Sequence, residues 1–134
     1  MRHVLLTTDS DAVLADIESA IGSADVTITR LKEGRAVRAA VLELKPDLVV
    51  LDLQIGSMGG IAACLDLRLE EASGRLDPQR ILLLLDREAD VFLARRSGAD
   101  GWLIKPLEPR RVERAVAAIA AGQQVIEGPA LAEA

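Results

Sequence analysis

The sequence predicts an α/β protein, a doubly wound five-stranded parallel sheet flanked by five helices. Three observations carry that expectation. Short apolar runs alternate along the chain with longer segments of helical period, the pattern of repeated strand–helix units joined by right-handed crossovers. One run, Ile81 to Leu85, is continuously aliphatic, which suits a strand covered on both faces. Half of the 134 residues are hydrophobic, with Phe92 and Trp102 the only aromatics, and that aliphatic bias fits helices packed on a parallel sheet. The length allows one domain with one sizeable core.

The elements follow in order. Val4-Leu5-Leu6 reads as the first strand, closed by "TTDSD", where Asp9 or Ser10 can cap a helix over 11–21. Ala12, Ile17 and Ile21 have helical spacing there, and Gly22 ends it. Val26-Thr27-Ile28 is a β-branched second strand, followed by a helix over 33–44 with Val37, Val41 and Leu44 as its inward row. Lys45-Pro46-Asp47 turns the chain into a strand over 48–52. A glycine-rich loop (Gly56, Gly59, Gly60) leads to a helix over 60–72, and a second turn at Leu76-Asp77-Pro78 leads to the strand 81–85. A helix over 88–97 stops at Gly98, and Gly101 to Ile104 form the fifth strand. Pro106 and Pro109 bracket the start of the last helix, 109–121, whose core stripe is Val112, Val116 and Ile119. The domain is expected to span residues 1–121, with "GQQVIEGPALAEA", 122–134, as a short flexible tail.

The formal charge of −5 counts against binding nucleic acid over the whole surface. No apolar run reaches the roughly 18–20 residues needed to span a bilayer, and the start lacks a signal segment, so a cytoplasmic location is expected. The lone Cys64 has no internal disulfide partner and reads as core filler beside Leu65 and Leu67. His3 carries no site signal. "TTDSDAV" holds no glycine loop to cradle a phosphate, which counts against a nucleotide- or flavin-binding domain.

The chemistry concentrates at the strand ends. A carboxylate closing a run as apolar as Leu48-Val49-Val50-Leu51 is disfavoured unless something compensates it, so Asp52 is a candidate for chemistry. Asp9, Asp52, Asp86 and Lys105 each fall just after a strand, and the carboxyl ends of the strands are where this architecture binds ligands. Two carboxylates brought close repel unless a cation sits between them. Mg2+ accepts one or two carboxylates and a carbonyl, while a lysine offers a compact charge for a phosphate. Together they make a site for phosphoryl transfer.

"LLTTDSD", "PDLVVLDLQIGSMGG" and "SGADGWLIKPL", at the first, third and fifth strands, resemble the receiver domain of bacterial two-component response regulators over about residues 3–121. The resemblance implies the flavodoxin-like receiver topology and a phosphoprotein. Asp52 would be the phosphoacceptor, loaded by a histidine kinase or phosphotransfer protein. Asp9, Asp52 and the backbone carbonyl of Gln54 would hold Mg2+. Lys105 would pair with the phosphoryl oxygens, and its bond to Pro106 would be cis. Trp102 would occupy the place of the rotating aromatic switch, unless it is a packing residue.

The sequence departs from the family at two places. Thr8 stands where the first of two adjacent acids is usual, with Asp11 nearby but out of register. Leu85 stands where a hydroxyl residue usually ends the fourth strand, and leucine donates no hydrogen bond. Arg87, Arg95, Arg96, Arg110, Arg111 and Arg114 concentrate on the last two helices, either as a solvated face or, with Trp102, as a docking face for an acidic partner. The expected function is that of a stand-alone response regulator, not an enzyme, without direct nucleic-acid contact, that signals by protein–protein contact. The alternative is a phosphorylation-independent docking or accessory subunit of a larger assembly.

Overall fold

The structure, a computed structural model, describes residues 2–128. In chain order the elements are β1 (His3–Thr7), α1 (Asp11–Ile21), β2 (Thr27–Leu31), α2 (Val37–Leu44), β3 (Leu48–Asp52), α3 (Gly60–Ala72), β4 (Ile81–Leu85), α4 (Val91–Ser97), β5 (Gly101–Ile104) and α5 (Pro109–Ala120). All strand pairs are parallel and the sheet order is β2-β1-β3-β4-β5. The winding therefore reverses between β1 and β3, which opens a crevice at their carboxyl ends. The expected fold class is the observed one.

The side-chain period of two divides the sheet into two cores. Leu5, Val49, Leu51, Ile81, Leu83 and Leu85 face α2, α3 and α4, whereas Val4, Leu6, Leu48, Val50, Leu82, Leu84 and Leu103 face α1 and α5. All five residues of β3 and all five of β4 are buried, as unbroken apolar runs covered on both faces require.

Several boundaries differ from the sequence reading for local reasons. The second strand runs three residues further, to Leu31, because pairing with β1 continues through Thr7. The segment before α2 is a 3-10 turn over Gly34–Ala36, and a Cβ on Gly34 would lie 1.7 Å from the Met58 carbonyl oxygen, so this turn is wedged against the β3–α3 loop. A second 3-10 turn, Glu88–Asp90, precedes α4, with the Asp90 carboxylate accepting from the backbone N–H of Asp86 and of Arg87. In α1 the buried row is Val13 and Ile17; Ala12 is exposed and Ile21 only half-buried. Ser10 is the cap, accepting from the Val13 N–H at 3.2 Å. Gly98 closes α4 with φ of 83°, the left-handed conformation in which glycine has no Cβ to strain.

The tail requires a correction. Residues 122–128 return along β5: Val125 bridges Gly101 in parallel, and the Trp102 N–H donates to the Val125 carbonyl at 2.9 Å. The rest of the expected tail, 129–134, lies outside the described residues.

Candidate functional site

Parity along the strands places the site. Leu6, Val50, Leu84 and Leu103 all point to the α1/α5 face, so each residue two further on, Thr8, Asp52, Asp86 and Lys105, leans the same way at the carboxyl edge of the sheet. Leu85, one residue earlier, belongs to the opposite face and packs in the core with Trp102. The side chain that joins the site at this strand end is thus that of Asp86, the residue after β4, while Leu85 is buried on the other face. Alternation along Leu82-Leu83-Leu84-Leu85 carries this signal.

The four side chains form one network. The Lys105 ammonium donates to Asp52 Oδ1 at 2.7 Å and to Asp86 Oδ1 at 2.9 Å. The Thr8 hydroxyl donates to Asp52 Oδ2 at 2.7 Å and accepts from the Ser10 N–H at 3.1 Å. Asp52 is only 1% exposed, so its charge depends on those two donors. Burial is the largest single influence on Lys105 and pulls its pKa down, but the hydrogen bonds and charges of Asp52 and Asp86 together outweigh it and hold the ammonium above its ordinary value. The Lys105–Pro106 bond is cis.

Around this centre, Thr8 fills its position as a satisfied hydroxyl in place of a carboxylate. Its carbonyl accepts from Arg30 Nε at 2.7 Å, and Arg30 Nη1 donates to Asp11 at 2.9 Å. That hydrogen bond, with the Arg30 charge, holds the Asp11 carboxyl below the usual range, and ties Asp11 to β2 rather than to the Asp52 network. The sequence placed Asp86 at this rim without its pairing to Lys105, and gave no signal for Arg30.

Asp9, next to Thr8 in the chain, is exposed, as is Gln54 in the loop between β3 and α3. Among the described residues no three acidic, histidine or cysteine side chains converge as a metal cluster. The donor set of Asp9, Asp52 and the Gln54 carbonyl is nevertheless all oxygen, and two carboxylates with a carbonyl meet what Mg2+ requires. The residues fit that cation with one carboxylate fewer than an acidic pair at 8 and 9 would supply.

The expected partner face divides in two. Arg95, Arg96, Arg110 and Arg114 are exposed, and Arg96 stacks over the half-exposed Phe92 ring at 4.3 Å. Trp102 is 4% exposed and its Nε1 donates to the Glu127 carbonyl at 2.8 Å, so it is turned inward and offers no outer contact. Arg111 is committed to Glu127 and to the carbonyls of Ile104 and Pro106.

A protein-family model of the response regulator receiver domain matches residues 4–117. The chain belongs to that family. This receiver is 34% identical to the DNA-binding response regulator MtrA of Mycolicibacterium paratuberculosis over 113 residues, which are 84% of this chain and 48% of that protein. It is 31% identical to the nitrate/nitrite response regulator protein NarL of Escherichia coli over 125 residues, 92% of this chain and 56% of that one. The chain spans about half the length of these curated relatives. Its structure superposes on the NarL receiver domain from Mycobacterium tuberculosis with a TM-score of 0.75 at 25% identity, covering 91% of this chain and 98% of that one. The chemotaxis response regulator CheY4 of Vibrio cholerae shares the fold, with a TM-score of 0.76 at 21% identity, covering 89% and 98%. Among the described residues no helix is long and apolar enough to cross a membrane.

The backbone that carries Asp52 is held by Gly60, the first residue of α3. A Cβ there would lie 2.4 Å from the Asp52 carbonyl oxygen and 3.2 Å from the Leu53 Cα, and backbone atoms have little room to yield. Gly60→Ala is expected to lower stability by about 1–3 kcal/mol, the usual cost of overpacking, read as a shifted urea midpoint with an unchanged slope.

Proposed function

We propose that this receiver accepts a phosphoryl group on Asp52 from a histidine kinase or phosphotransfer protein and signals by contact with another protein. It is a switch, with no enzymatic turnover of its own. The observation that supports this most directly is the pairing of a buried strand-end carboxylate with the Lys105 ammonium at 2.7 Å. A carboxylate oxygen attacks phosphorus, the bond from phosphorus to the donor breaks, and the leaving group carries away that electron pair. Lys105 then moves from the carboxylate to the new phosphoryl oxygens, where the charge has grown. Thr8 keeps its hydroxyl on the oxygen that does not react. Asp9, Asp52 and the Gln54 carbonyl would hold Mg2+, which when bound neutralises charge on the transferred group.

A second reading, a docking subunit that works without phosphorylation, is favoured by Asp86. Its carboxylate shares Lys105 with Asp52, so the ammonium is already doubly paired. Incubation with a small phosphodonor and Mg2+ separates the two. Intact mass is expected to rise by one phosphoryl group that maps to Asp52, and Asp52→Asn is expected to show none. An unmodified wild-type chain, or equal gain in the variant, leaves only the second reading.

A further inference from the structure

The outer edge of β5 is already paired by the chain itself. Beyond α5 the backbone reverses at Gly122 (φ 84°), and Gln123 to Gly128 follow β5 in the parallel sense. The Val125 N–H donates to the Asp100 carbonyl at 3.1 Å, and the Trp102 N–H donates to the Val125 carbonyl at 2.9 Å. Glu127 completes the ladder with its side chain: Oε1 accepts from the Ile104 N–H at 3.0 Å, and Oε2 accepts from Arg111 Nε at 3.1 Å. Its carbonyl takes the Trp102 indole N–H. The seat is shaped for this, because a Cβ on Gly101 would lie 2.6 Å from the Val125 carbonyl oxygen and nearest otherwise to Val125 atoms alone.

The segment is held by polar groups and little apolar burial. Val125 is half-buried, Ile126 is 52% exposed, and open grooves of about 260 and 220 Å³ flank the segment on its α5 and α4 sides. Contacts of that kind exchange readily. The exposed Arg95 and Arg114 line those grooves, and their guanidinium groups draw in negative charge.

We propose that residues 123–128 are a tethered ligand of the β5 edge, and that a partner docks there by strand addition, presenting an extended peptide with a carboxylate in the place of Glu127. Backbone pairing supplies affinity, while Arg111 and the Ile104 N–H select the acid. A short tether gives the resident segment an effective concentration of roughly millimolar, so a competing peptide must exceed it. The inference concerns output and holds whether or not Asp52 is phosphorylated.

Trp102 is the only tryptophan, so its fluorescence reports the seat. Glu127→Ala releases the segment and leaves the edge intact; Gly101→Ala releases it and spoils the edge. Both variants, with folding verified by circular dichroism, are expected to show red-shifted Trp102 emission and stronger acrylamide quenching than wild type. A fluorescein-labelled peptide of sequence QQVIEG is expected to bind Glu127→Ala at least tenfold more tightly than wild type, to fail on Gly101→Ala, and to lose binding when its Glu is changed to Lys. Emission unchanged in both variants overturns the proposal, as does equal peptide binding to wild type and Glu127→Ala, or undiminished binding to Gly101→Ala.

Discussion

Lys105→Met is expected to destabilise the fold by about 3 kcal/mol, the cost of leaving a buried carboxylate without its cation, and to remove phosphoryl uptake. Asp52 is almost fully enclosed, and its remaining donor in the network is the neutral Thr8 hydroxyl, which stabilises a negative charge far less than an ammonium does. Methionine matches the length of the lysine stem and fills the same space, so the loss reports charge rather than a cavity. The pH dependence of the deficit is expected at the alkaline end. Lys105 has a folded pKa raised above its unfolded value of about 10.4, so its contribution is intact below that value and is lost as pH rises through the higher folded one. Urea unfolding between pH 5 and 11 is expected to show wild type falling at the alkaline end and Lys105→Met flat there. Equal stability of the two proteins at pH 7 would sink the claim that this pair is energetically coupled.

Much of this arrangement was written in patterns that need no tertiary information. The aliphatic runs 48–51 and 81–85 declare strands buried on both faces, and the observed sheet buries every residue of β3 and β4. Asp52 and Lys105 were legible because each polar residue ends an apolar strand, and the fold brings those ends to one rim. What was not legible depended on choices that chain neighbours do not determine. Which of Leu85 and Asp86 turns its side chain to the rim is a question of pleat parity, one residue of register, and the family pattern names only the position that Leu85 fills. The docking of 122–128 is a pairing of a polar, glycine-bounded segment with a strand edge, and hydrophobic periodicity is silent about segments that bind through backbone and one carboxylate. Trp102 and Arg111 then leave the outer face for the same reason: the segment that covers them has no apolar signature.

Asp86→Ser is expected to accelerate phosphorylation of Asp52 about tenfold. Asp52 and Asp86 flank Lys105 at 2.7 and 2.9 Å, so one ammonium serves two carboxylates and the rim carries an excess negative charge before any phosphoryl group arrives. Like charges about 5 Å apart repel by roughly 3 kcal/mol at an effective dielectric of 20. Asp86 is 30% exposed, and solvent screening brings that to about 1–2 kcal/mol. Since about 1.4 kcal/mol in a barrier is a factor of ten in rate, relief of that repulsion sets the expected acceleration. Serine adds a short hydroxyl that donates to an anion instead of opposing it, and Asp86→Asn, which removes the charge but keeps the bulk of the side chain and an acceptor oxygen, is expected to fall between wild type and Asp86→Ser. The fold should change little, because Lys105 keeps Asp52 and a partly exposed pair contributes at most about 1 kcal/mol. Initial rates of mass gain with a small phosphodonor, compared at low and high salt, measure the effect, and the gap between wild type and variant should narrow as salt rises. Rates that match at every ionic strength would mean that Asp86 does not restrain the acceptor, and the weak point of this receiver would then be Thr8 and the thinner carboxylate set for Mg2+.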